Sequence, residues 1–265
     1  MTTLVARVAP PALLPAGARR LVERNVIAGR HTWFLIVSGF FEPVFYLWSI
    51  GIGISKLVGG LTIAGHAVSY TVFVAPGLMA ASAMNGAIYD STFNVFHKLQ
   101  FKTYDAVLST PLTVVDVALG EIAWALGRGL LYASAFLVTM SAMGLVASPW
   151  AALTIPAATL IGAAFAAVGI AATTYIRTWH DMDLVQLAVL PMFLFSATFY
   201  PLTTYPPAVR WLVELTPLYH GVALMRGLTT GLLTWSMLVD VAYLGALGVL
   251  GVVVAARRLD RLLLT

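Results

Sequence analysis

The sequence predicts an all-α integral membrane protein that crosses the bilayer six times. Two observations carry this. Sixty per cent of the residues are apolar and 10% are charged, and apolar runs of about 20 residues, the length a helix needs to cross the hydrocarbon core, recur along the chain. A soluble domain carries about 25% charged residues, so a mean hydropathy of +0.90 leaves too little polar surface for a water-soluble fold. A β-barrel would need alternating strands of about ten residues, whereas these runs are continuous and rich in Leu, Ala and Gly. Residues 1–265 therefore read as one membrane domain. The absence of cysteine excludes disulfides, thiolate metal sites and cysteine nucleophiles. No apolar region followed by a small-residue cleavage site occurs among the first residues, so no cleaved signal peptide is expected.

The elements follow in chain order. Residues 17–31 predict an amphipathic helix lying along the cytoplasmic membrane surface. Ala18, Val22, Val26 and Gly29 share one face, and Arg20, Glu23, Arg24, Arg30 and His31 occupy the others. The plainer alternative is a positive flank that sets topology. The first span is expected at Trp33 to Ser55, with Glu42 near its middle and Pro43 bending it. A carboxylate at that depth is a functional candidate by default. The second span is expected at Val72 to Tyr89. Residues 91–115 then form the longest cytoplasmic interruption, in which Thr103 is expected to cap a short helix through Tyr104 and Leu108 that Pro111 stops. That helix is expected to dock through Tyr104 and Leu108.

Glu121 and Arg128 lie seven apart in the third span, Val117 to Leu145, on one face; structural pairing within or between helices is expected. The fourth span is placed at Ala151 to Ile176 and the fifth at Leu184 to Phe199. Between them Asp181 and Asp183 form a D-x-D that suits a divalent cation on a nucleotide-sugar phosphate, although such a pair is more often a solvated loop or an ionic latch. Residues 200–234 are too apolar for a hydrophilic loop, yet Pro201, Pro206, Pro207 and Pro217 forbid one spanning helix. Two short helices, at Ala208 to Leu215 and Tyr219 to Leu228, dipping into the outer leaflet are expected. The sixth span is placed at Met237 to Ala256. Trp33, Trp150, Trp179 and Trp235 fall at span ends, where an indole prefers the headgroup region. Small residues four apart, Gly77 with Ala81, Ser82 with Gly86, and Ala163 with Ala167 and Ala171, permit close helix approach.

Six spans put both termini on one side. That side holds Arg7, Arg19, Arg20, Arg24, Arg30, Lys98, Lys102, Arg177, Arg257, Arg258 and Arg261, against Lys56, Arg210 and Arg226 opposite. Cytoplasmic loops carry the Lys/Arg excess, so both termini are expected in the cytoplasm. The net charge of +4 reports topology and contact with anionic lipid. No basic face with interleaved aromatics points to nucleic acid.

No H-E-x-x-H, G-x-S-x-G or Cys/His metal spacing occurs, and no Gly-Lys pair exists from which a P-loop could be built. The chain is expected to bind no cofactor and to be no enzyme by itself. If ATP drives it, another polypeptide hydrolyses the ATP.

Three segments resemble the permease subunits of ABC-2 type exporters, most closely the nodulation-factor (NodJ-type) and daunorubicin-resistance branch. They are "VAPGLMAASAMNGAIYDSTF" from Val74, "KTYDAVLSTPLTVVDVALGEIAW" from Lys102, and "FLFSATFYPL" from Phe193 with "LTPLYHGVALMRGL" from Leu215. The resemblance implies a type V exporter-like fold in a bacterial plasma membrane. It also implies a second copy of the chain and a separate ATPase dimer that carries ATP and Mg. On that pattern Arg20, Arg24 and Arg30 belong to the interface helix. Tyr104, Asp105, Val107, Leu108 and Ser109 belong to a coupling helix, and the 200–234 segment forms extracellular re-entrant helices. A path lined by the first, second and fifth spans nominates Phe41, Glu42, Tyr46, Phe193 and Phe199 for an amphipathic substrate, a lipid-linked saccharide or a hydrophobic drug. A membrane transferase using Asp181 and Asp183, or an ion-coupled secondary transporter using Glu42, are the alternatives; the latter should show related halves, which the sequence lacks.

Overall fold

A computed structural model describes residues 15–29, 41, 44–58, 60–63 and 66–263. Helix α1 runs over Ala16–Gly29. Residues 44–49 are helical and continue through a π-helical turn, Ile50–Ile54, into α2, Ser55–Val58. A short antiparallel hairpin follows, β1 Gly60–Ile63 with β2 His66–Ser69, in which Leu61 faces Val68. It is the one departure from an all-α fold among the described residues, in a connector where no strand was expected. Residues 33–40 of the first expected span, with Glu42 and Pro43, lie outside the described residues.

Helix α3, Tyr70–Tyr89, starts where Ser69 accepts a hydrogen bond from the Val72 amide at 3.4 Å. Fourteen of its twenty residues are buried, so it is the central post of the bundle. It does not stop at the predicted end. A π-helical turn, Asp90–Asn94, carries it into α4, Val95–Gln100, giving one apolar rod over Tyr70–Gln100. No Gly or Pro interrupts Ile88 to Gln100, and the hydroxyls that suggested a loop fold back onto the helix. Thr92 and Ser91 donate to the Ile88 carbonyl at 2.7 and 3.2 Å. The interruption expected from residue 91 thus narrows to 101–113.

Within it α5, Thr103–Leu108, forms as expected but with a different start. Lys102, in the left-handed region at φ 52°, precedes the first turn, and Thr103 is already helical. Helix α6, Val114–Ala142, opens on a capping box between Thr113 and Asp116, with the hydroxyl to carboxylate distance at 2.7 Å. A 3₁₀ turn, Pro149–Leu153, leads into α7, Thr154–Thr173.

Helix α8, Met182–Phe195, corrects the fifth expected span. Ser196 binds back to the Met192 carbonyl, and Ala197 turns left-handed at φ 54°, ending the helix four residues early. Two proline-started helices follow as expected, α9 Pro207–Leu215 and α10 Pro217–Thr230. Helix α11, Ser236–Leu263, closes the bundle on α7. A Cβ at Gly251 would lie 2.8 Å from the Ala167 carbonyl carbon, so glycine sets that approach. Among the described residues four helices are long and apolar enough to cross a membrane, Tyr70–Gln100, Val114–Ala142, Pro149–Thr173 and Ser236–Leu259.

Candidate functional site

Helix α1 packs along the first turns of α6, with Ala18, Leu21, Val22 and Asn25 turned inward. Glycine permits this contact too: a Cβ at Gly120 would stand 2.6 Å from Leu21 Cδ2. Of the residues expected on one face, Ala18 and Val22 are buried against the chain with Leu21, whereas Val26 is exposed.

Where α1, α4, α5 and α6 converge, buried Asn25, Tyr104 and Glu121 meet the partly buried Lys98. The Glu121 carboxylate receives Lys98 Nζ at 2.7 Å on both oxygens, Asn25 Nδ2 at 3.3 Å and the Tyr104 hydroxyl at 3.2 Å. Lys98 also donates to Asn25 Oδ1 at 3.4 Å. Glu121 is 4% exposed and Tyr104 1%, whereas Lys98 reaches them from a partly exposed position. Burial, and then the Glu121 charge, push the Tyr104 phenol well above its ordinary range, which keeps it a neutral donor. Removing one partner of such a buried ion pair costs about 3–5 kcal/mol, because the other charge is stranded.

A second rung lies deeper. Arg128 Nη1 meets Asp90 Oδ1 at 2.9 Å, while Asn94 Nδ2 holds the same oxygen at 2.9 Å and Arg128 Nη2 donates to the Tyr132 hydroxyl at 3.3 Å. Glu121 and Arg128 therefore pair across to the α3–α4 rod, in the antiparallel order 98 with 121 and 90 with 128, and not with each other. The opposed polarities of the two rungs fix the register of α6 against the rod.

Helix α5 is held to this junction by its inner face. Tyr104 and Val107 are buried, Leu108 is half-buried, and Asp105, Ala106 and Ser109 face outward. The expected docking pair is thereby corrected: the Tyr104 ring is turned into the chain, because its hydroxyl is satisfied only at Glu121. Arg20 is exposed and Arg24 half-buried, whereas Arg30 lies outside the described residues.

Of the nominated path residues, Phe193 and Phe199 meet edge to face at 5.1 Å. Tyr200 and Tyr205 extend the row at 6.3 and 5.9 Å. Phe41 stacks on Phe45 at 5.8 Å, and Tyr46 is exposed. Glu42 lies outside the described residues.

The D-x-D loop is a capped turn. Asp181 Oδ2 accepts the amides of Arg177 and Thr178 at 2.9 Å each, which holds its carboxyl below the usual range. Trp179 packs edge to face on Phe96 of α4 at 4.9 Å.

Sequence reading missed a second polar cluster, between α10 and α11. His220 Nδ1 lies 2.7 Å from Asp240 Oδ1, and its ring stacks on Tyr243 at 4.1 Å. Arg226 donates to the carbonyls of Phe73 and Ala197 and sits 3.8 Å over the Phe73 ring. Asp240, a carboxylate inside an apolar helix, was the available signal.

Residues 18–229 match the family model for the ABC-2 type transporter. The chain is 29% identical over 223 residues to nodulation protein J of Rhizobium leguminosarum bv. viciae, covering 81% of this chain and 84% of the relative. It is 30% identical over 226 residues to the same protein of Rhizobium leguminosarum bv. trifolii, covering 82% and 84%. It is also 27% identical over 198 residues to the inner membrane transport permease YadH of Escherichia coli (strain K12), covering 72% and 75%.

Proposed function

This chain belongs to the ABC-2 type transporter family, and from that membership we propose that it is the permease subunit of an ATP-driven exporter. It crosses the bacterial plasma membrane six times, with both termini cytoplasmic, and works as a homodimer on a separate ATPase dimer that binds ATP and Mg. Its cargo is an amphipathic molecule, a lipid-linked saccharide or a hydrophobic drug. The names of its relatives, a nodulation protein and an inner membrane transport permease, fit that class.

One observation carries the reading: the Glu121 junction. Helix α5 sits at the end of a cytoplasmic loop and exposes Asp105, Ala106 and Ser109, while Tyr104 on its other face bonds to Glu121 at 3.2 Å. A push on the outer face of α5 reaches α6, the α3–α4 rod and α1 through the bonds that Tyr104, Lys98 and Asn25 make to Glu121. In this account α5 is the coupling helix, with Tyr104 and Val107 anchoring it and Asp105, Leu108 and Ser109 meeting the ATPase. Helix α1 is the interface helix, and α9 and α10 are the re-entrant pieces that cover the outer exit. Phe193 and Phe199, with Tyr200 and Tyr205, line the outer part of the path; Phe41, Glu42 and Tyr46 line the inner part. The transferase alternative is disfavoured because Asp181 already caps its own turn.

The test is ATP-driven transport in proteoliposomes containing this chain and its ATPase subunit. Tyr104→Phe removes only the hydroxyl bond. It should leave the complex assembled and lower ATP stimulation by the permease. Unchanged stimulation would remove Tyr104 from the coupling route.

A further inference from the structure

A groove of about 320 Å³ lies between α1 and the α5 loop, walled by Leu21, Val107, Thr110 and Leu112 and rimmed by Arg20 and Arg24. Among the described residues neither arginine pairs with a carboxylate, and Arg24 Nη1 is buried without a hydrogen-bond partner. Two cations beside an otherwise apolar groove call for an anion with an apolar body.

The order of groups along α1 says which. Arg20, Arg24 and Ile27 form one stripe at i, i+4 and i+7. The helix advances along α6 as it goes: Gly17 lies against Asp116, Leu21 against Gly120, and Asn25 bonds to Glu121. The stripe therefore runs from the start of α6 toward its interior, charged first and apolar after, with Ile27 47% and Val26 36% exposed at its inner end. A phospholipid has the same order from phosphate to acyl chain. An acidic protein segment would match the arginines but leave the apolar end uncovered.

We infer that this groove binds the phosphate of an anionic phospholipid of the cytoplasmic leaflet. Arg20 and Arg24 hold the phosphate beside Leu21 and Val107, and the first methylenes run inward over Val26 and Ile27. The bound lipid bridges α1 to α5 beside the Glu121 junction. The site rests on the membrane setting of the chain and not on its role in export.

The test is lipid retention. The full chain is purified from bilayers of equimolar phosphatidylglycerol and phosphatidylcholine, and the lipids that survive detergent extraction are measured by native mass spectrometry. Phosphatidylglycerol should be retained preferentially. Arg20→Gln and Arg24→Gln should each lower that preference about fivefold, the contribution of one basic residue near an anionic surface. Neither side chain makes a pair that folding needs. Arg257→Gln, an exposed charge outside the groove, should change nothing. Equal retention of the two lipids by the wild type overturns the inference, as does an equal loss with Arg257→Gln. If instead the groove variants leave lipid preference intact and release the ATPase subunit, the groove holds an acidic segment of that subunit and the lipid assignment fails.

Discussion

Glu121 is the residue on which most depends. Its carboxylate neutralises Lys98 and receives donors from two further elements, so Glu121→Gln strands a largely buried ammonium. The folded state should lose about 3–5 kcal/mol, read as a lower midpoint of thermal unfolding in detergent. Tyr104→Phe deletes one hydrogen bond to a charged group and should cost about 1.5–3 kcal/mol in the same measurement. The sequence made Glu121 conspicuous, because a carboxylate in an apolar span is costly and rare. It did not reveal Lys98, since a lysine after Ser91, Thr92 and Asn94 reads as a solvated loop. Only the return of those side chains to the helix backbone shows that Lys98 rides on a continuing rod. Asp181 titrates differently. Its folded pKa is depressed, so the order it gives the 177–181 turn is present above the unfolded value near 4. That order is lost as pH falls through the folded pKa. The protection factors of the Arg177 and Thr178 amides, exchange rates corrected for the intrinsic pH dependence, should therefore hold at neutral pH and fall only in acid.

Among the elements, α1 and α5 owe their places to contacts with the junction and with α6 more than to their own propensity. Gly120→Leu would drive side-chain atoms into Leu21, already 2.6 Å from a Cβ at that position. It should cost about 1–3 kcal/mol by overpacking, and α1 should become accessible to limited proteolysis while α7 and α11 stay protected. Helices with strong local signals were legible: α9 and α10 from their prolines, and α5 from Pro111; the capping box that starts α6 at Val114 was not read from the sequence. The outer limit of α8 was not, because its end depends on a tertiary bond between Ser196 and Thr216 at 3.0 Å. The inner face of α5 was misread for a related reason. A helix of six residues offers too few turns for periodicity to tell which side is buried, and the partner of Tyr104 lies seventeen residues away.

At the scale of the whole molecule, a multi-pass membrane component of an ABC transporter has to pass a cytoplasmic event to its spans. The ion-pair rungs 98–121 and 90–128 make α6 and the α3–α4 rod a single register-locked pair, and α5 is attached beside that pair by buried Tyr104 and Val107. In the proposed mechanism docking and transmission fall on opposite faces of the same short helix, and substitutions can separate them. The most direct test of this account is co-purification of the ATPase subunit with the double variant Asp105→Lys, Ser109→Lys, in which only outward side chains change. The account predicts a folded, membrane-inserted permease that no longer retains its ATPase, while the wild type retains it. A double variant that holds the ATPase as firmly as the wild type would contradict it.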